Sequence, residues 1–207
     1  MGHPVFARVF ERLAPLIDRA GRDAHRDELL EGLVGRVIEV GAGSGLCFTH
    51  YPDTVEEVLA VEPEPHLRGV ATRAVLTTAT SIRVIDGTAE HLPVDDASFD
   101  AAVISHVLCS VPDQRVALKE IHRVLRPGGE LRFYEHVRSN EPRLSRLQDR
   151  LDPIWALVNG GCHPNRDTEA AIGGAGFVIE RCRRFEFAPG ILAKPSSPQL
   201  IGRAVAT

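Results

Sequence analysis

Gly41, Gly43 and Gly45 alternate through R-V-I-E-V-G-A-G-S-G-L (36–46), with Glu39 just upstream and Glu62 seventeen residues after Gly45. Glycine at the end of a strand permits a sharp turn and brings bare backbone close to a ligand. A carboxylate at the end of the next strand, here Glu62, can accept hydrogen bonds from both hydroxyls of an adenosine ribose. A dinucleotide loop would carry its last glycine at position 46, where this chain has Leu46. Later residues could handle protons or sulfur: His106, Cys109, Glu135, His136, Cys162 and His163. Imidazole titrates near neutral pH, so His136, beside Glu135 at a strand end, is the expected general base.

Positioning these residues calls for alternating strands and helices. Val37, Ile38 and Val40 suit a strand buried on both faces. Leu46 to His50 is expected to open a helix, and Glu57–Glu62 and Ile82–Ile85 are the next strands. His66–Thr78 is the covering helix between them. Phe99-Asp100 opens a fourth strand through A-A-V-I-S-H-V-L-C-S-V, and Ser105-His106 falls at the carboxyl edge where open α/β sheets bind ligands. Pro112-Asp113 caps a helix with Ala117, Leu118, Ile121, Val124 and Leu125 on one face, and L-R-P-G-G (125–129) ends it. Strand five is 130–137. A helix over 142–158, broken at Pro153, and a short one from Arg166-Asp167-Thr168 to Gly173-Gly174 precede a closing antiparallel pair, 177–187 and 199–206.

The glycine loop, Glu62, the Phe99-Asp100 pair and the L-R-P-G-G turn together resemble the class I S-adenosylmethionine-dependent methyltransferases. That resemblance implies an α/β, Rossmann-like sheet of seven strands, mostly parallel, with helices on both faces and an antiparallel strand near the C-terminal edge. It implies S-adenosyl-L-methionine as cofactor, held by Glu39, Gly41, Ala42, Gly43 and Gly45 on the first loop, and by Glu62 and Pro63 after the second strand. Relatives often carry Asp where this chain has Thr88, so the adenine contact falls to Thr88, the Ala89 amide and Glu90. Ser105 and His106 would lie beside the sulfonium. In such a displacement the cofactor brings the reactivity and the protein supplies alignment and a deprotonated acceptor.

H-V-L-C-S-V (106–111), R-V-L-R-P-G-G (123–129), E-H-V (135–137), L-D-P-I-W (151–155) and G-G-C-H-P-N-R-D-T (160–168) resemble the alkyl thiol methyltransferases of the methyltransferase-like group. The resemblance implies a small-molecule acceptor, a thiol or related soft nucleophile, with His136, Glu135, Cys109 and Cys162 as catalytic candidates. Quinone or phenol O- or C-methylation is the nearest alternative. Cys47, Cys109 and Cys162 also suggest the arsenite methyltransferases, which hold trivalent arsenic between cysteines. A non-catalytic S-adenosylmethionine-binding module belongs to another class, and the intact loop with Glu62 speaks against it. No paired C-x-x-C is present, so no metal site is expected.

At 207 residues the chain is expected to be one domain, with 1–33 as an N-terminal helical cover and 138–168 as a helical insertion over the acceptor site. A net charge of −4 argues against a nucleic-acid partner. Four scattered cysteines read as reduced thiols in a cytoplasmic protein. Neither a secretory signal nor a run long enough to span a bilayer is visible. The apolar spacing over 5–20, interrupted by Pro15, predicts an amphipathic helix. Its polar face is only moderately basic, which limits membrane contact to a weak peripheral one. A monomer or homodimer is expected.

Overall fold

The computed structural model describes residues 7–9, 11–12, 21–188 and 190–207. Helix α1 (Asp23–Leu30) precedes β1 (Gly35–Val40), β2 (Val55–Val61), α2 (Pro65–Ala74), β3 (Ile82–Ile85) and β4 (Phe99–Ser105). Then come α3 (Gln114–Val124), β5 (Leu125–His136), α4 (Pro142–Val158), α5 (Thr168–Gly173), β6 (Phe177–Glu186) and β7 (Pro198–Ala206). The seven strands form one sheet in the order β3-β2-β1-β4-β5-β7-β6. Strands β1 to β5 pair in parallel, whereas β7 runs antiparallel to both β5 and β6.

Side-chain alternation sorts the apolar strands into two layers. Ile38, Val40, Ile104 and Phe133 pack with Leu118 and Ile121 of α3 on one face. Val37, Val58, Val103 and Tyr134 pack with Leu29 and Leu30 of α1 on the other. Between these layers β1 and β4 are neighbours, and the strand order reverses there. The crevice beyond their carboxyl ends is where an open α/β sheet takes a ligand.

Three local expectations are corrected. After the glycine loop the chain makes only a 3₁₀ turn, Phe48–His50, instead of a helix. Pro52, six residues after Leu46, accounts for this: it drives Tyr51 into extended backbone (φ −66°, ψ 130°). Second, α4 runs unbroken through Pro153, which is exposed, so the carbonyl it leaves unpaired can face water. Third, β5 begins at Leu125, with an irregular register against β4 between Phe99 and Ala101. Residues 7–9 and 11–12 are helical, and the rest of the helix expected over 5–20 lies outside the described residues. Among the described residues no helix is long and apolar enough to cross a membrane.

Candidate active site

The glycine loop hangs from the end of β2: the Gly41 and Ala42 amides both donate to the Val61 carbonyl, at 2.8 and 3.1 Å. Gly41, Gly43 and Gly45 all adopt positive φ (72°, 58° and 81°), a region side chains rarely enter. A Cβ at Gly45 would lie 2.7 Å from the Phe48 ring, so the turn closes on a buried aromatic only with glycine there. Glu62 joins the loop to the next strand. Its carboxylate accepts from the Gly43 amide at 2.7 Å and from the Glu64 amide at 2.9 Å. Burial pushes its pKa up, against the pull of the Glu64 and Gly43 amides. Pro63 is held by Arg68, whose guanidinium spans the Glu62 and Pro63 carbonyls and Asp86.

Glu39 plays another part. It is buried, and Tyr51 donates its hydroxyl to it at 2.9 Å. Burial raises its pKa to about 7 even though Tyr51 donates to it and Cys47 and Arg26 lie near. It braces the loop from within the core. Across the crevice, Thr88 bridges to His91, Ala89 is buried, and Glu90 turns a buried Oε1 that finds no hydrogen-bond partner.

Strand β4 ends at Ser105, and the apolar run to Val111 continues as a turn because Glu135 captures its backbone. Glu135, fully buried on β5, accepts from the amides of Val107 (2.8 Å), Leu108 (3.0 Å) and Cys109 (3.0 Å). Both its oxygens are thereby engaged, so Glu135 is a positioning residue. His106 sits at the reversal with φ +59°. Its ring stacks at a tilt 4.2 Å from that of His136, and its Nε2 is buried without a partner. Burial first, and His136 second, hold its pKa well below the usual value, so it is neutral at pH 7. Ser105 Oγ lies 3.3 Å from its Nδ1.

His136, Cys109 and Cys162 come together from three separate elements. His136 Nδ1 lies 3.6 Å from Cys109 Sγ and 3.4 Å from Cys162 Sγ. The neighbouring Cys109 thiol, with His136 alongside, holds Cys162 well below its ordinary pKa, and proximity to Cys162 together with burial pushes Cys109 up. One sulfur of the pair is poised to carry negative charge. Cys47 does not join them; it neighbours Glu39 and Arg26, so the three-thiol arrangement considered for trivalent arsenic is not formed. His163 turns its ring to Asp152 at 2.9 Å and gives its amide to the Cys109 carbonyl at 2.7 Å.

Two residues that hold this arrangement escape a reading of the sequence. Arg166 donates to the carbonyls of Leu108 and Val111, both at 2.6 Å, and so clamps the β4 turn to the segment carrying Cys162. Gln148, fully buried, accepts from the Ser139 amide and lies within hydrogen-bond distance of the Val137, Pro164 and Pro195 carbonyls. Its position four residues after Leu144, on the apolar face of α4, is the signal that could have revealed it.

The glycine turn, the Glu62 carboxylate beside it and the orphaned Glu90 oxygen suit a ligand with ribose and base polar groups. Residues 38–133 match the family model described as methyltransferase domain. Human thiol S-methyltransferase TMT1B is 33% identical over 184 residues, covering 85% of this chain and 73% of that protein. Human thiol S-methyltransferase TMT1A is 34% identical over 145 residues, covering 68% and 59%. An S-adenosylmethionine-dependent methyltransferase from Mesorhizobium loti shares the fold, with TM-score 0.67 at 22% identity over 91% of this chain and 99% of that one. Fold and site define a class I S-adenosylmethionine-dependent methyltransferase. Within that class the chain belongs to the family that contains the TMT1 thiol S-methyltransferases.

Proposed function

We propose that this methyltransferase methylates the sulfur of a small thiol, with Cys109, His136 and Cys162 at the acceptor site. The observation that carries the reading is the convergence of two thiols on one imidazole nitrogen, at 3.6 and 3.4 Å. A pocket that stabilises a sulfur anion of its own suits an acceptor that must react as thiolate. Support also comes from the relatives named thiol S-methyltransferases.

S-adenosylmethionine supplies an electrophilic methyl group on a sulfonium. Gly41 to Gly45, Glu62, Pro63 and the Thr88–Glu90 strap hold it, with Glu62 accepting from the ribose. His136 takes the acceptor's proton at Nδ1. Cys109, the thiol of the pair that keeps its proton, flanks that nitrogen and donates to the acceptor sulfur, while Glu135 fixes the turn that carries it. Neutral His106 packs against the His136 ring and limits its tilt. Trp155, on α4, lies beside Cys162 with its indole Nε1 buried and unpartnered. The apolar side chains Ile154 and Leu157 next to it are 67% and 76% exposed and favour an acceptor with an alkyl or aryl tail.

The test is turnover across alkyl thiols and phenols with S-adenosylmethionine, read as methylated product by mass spectrometry. An S-methyl product from thiols is expected, and His136→Ala should lower its rate by roughly 100-fold, the usual contribution of one general base. Turnover of phenols alone, or an unchanged rate in His136→Ala, overturns the reading.

A further inference from the structure

The same three side chains meet the geometric demands of a metal site. With zinc–sulfur bonds of about 2.3 Å and zinc–nitrogen bonds of about 2.05 Å at tetrahedral angles, a sulfur and a nitrogen ligand lie about 3.6 Å apart. The two sulfur–nitrogen separations here are 3.6 and 3.4 Å, and all three donor atoms lie within 4.8 Å of one another. Among the described residues this is the single group of His, Cys, Asp and Glu side chains that converges in this way.

We propose that Cys109, His136 and Cys162 form a mononuclear site for a soft divalent cation, zinc above all, with two sulfur ligands, one nitrogen ligand and a fourth position for an exogenous ligand. Two thiolates and an imidazole select zinc over magnesium or calcium, which prefer oxygen. Three protein ligands match the catalytic class of zinc site, whereas structural sites close with a fourth.

The backbone preorganises all three ligands. Cys109 is held through its amide by Glu135 and through its carbonyl by the His163 amide. Cys162 donates its amide to the Asn159 carbonyl at 3.1 Å, and Arg166 ties its segment to the β4 turn. His136 is the last residue of β5, paired with Gln199 of β7. Loading the site needs no redox partner: each thiol that binds the cation gives its proton to solvent. The proposal rests on ligand geometry alone and stands whether or not the acceptor is a thiol. The two roles of Nδ1 exclude one another, so a zinc-loaded chain has no free base at His136.

The reduced, metal-free full chain is titrated with cobalt(II), and thiolate-to-cobalt charge-transfer absorption is followed. One cobalt per chain with tetrahedral visible bands is expected, displaced by one equivalent of zinc. Cys162→Ser and Cys109→Ser should each weaken zinc binding by roughly 100-fold or more. Thermal unfolding and S-adenosylmethionine binding confirm that these variants fold, and Cys182→Ser, outside the cluster, should keep full affinity. Absence of the charge-transfer band in folded wild-type chain overturns the proposal. So does metal binding that survives in Cys162→Ser.

Discussion

Glu135 offers the sharpest perturbation, because one carboxylate holds three consecutive backbone amides where no water reaches. In Glu135→Gln the retained oxygen can keep the Val107 and Leu108 amides, and the new NH₂ then faces the Cys109 amide, donor against donor. The reversed rotamer is worse, since it strands two amides. A buried donor left without an acceptor costs about 1–3 kcal/mol. Loss of one charge-assisted bond with one stranded amide thus amounts to about 2 kcal/mol. For a chain of this size that lowers Tm by about 4–8 °C. Glu135→Ala strands all three amides, and the summed penalty approaches the whole stability of a typical domain, about 5–15 kcal/mol; this variant is expected not to accumulate as folded chain. Thermal unfolding of the glutamine variant by circular dichroism is the assay. A Tm within about 1 °C of wild type would refute the assignment of Glu135 as the pillar of the turn.

Glu62→Ala should raise the S-adenosylmethionine Kd by about 10- to 100-fold in calorimetry, as expected for loss of hydrogen bonds to a charged acceptor; an unchanged Kd would place the ribose elsewhere. Gly45→Ala must hold a side chain at φ +81° with its Cβ 2.7 Å from the Phe48 ring. It should lose about 1–3 kcal/mol in urea unfolding, and cofactor affinity with it. Glu39 gives a pH signature. Its folded pKa is raised from 4.5 to about 7. Between those values the unfolded chain is ionised there while the folded chain keeps its proton. Its contribution is therefore complete below pH 4.5 and falls away by about pH 7. The loss amounts to about 3 kcal/mol. Glu39→Gln should flatten that slope in urea titrations across the window, and a slope unchanged by the substitution contradicts the buried, protonated acid.

Much of the sheet is legible because Val37-Ile38 and Ala102-Val103-Ile104 are apolar at consecutive positions, which only a strand covered on both faces explains. Glu62 is legible because an acid at a strand end beside a glycine turn has few other uses. What stays hidden depends on contacts distant in sequence. The run Val107 to Val111 looks like more strand, and only Glu135, 26 to 28 residues on, turns it away. Pro52 is a local signal that stops the helix after the glycine loop, but the family pattern masks it. Glu135 and His136 look like a pair in sequence, yet strand alternation sends them to opposite faces. Cys109, His136 and Cys162 sit on three elements with no spacing between them that reads as a site, so their convergence emerges only from the fold.

The most direct test of methyl transfer to sulfur at this cluster is a single-turnover reaction with methyl-labelled S-adenosylmethionine and a small alkyl thiol, comparing metal-free wild type with His136→Ala. Label should appear on the thiol sulfur with wild type, and the transfer rate should fall by roughly 100-fold in the variant while cofactor affinity holds. Label that never reaches the thiol, or reaches it equally fast without His136, would contradict the assignment.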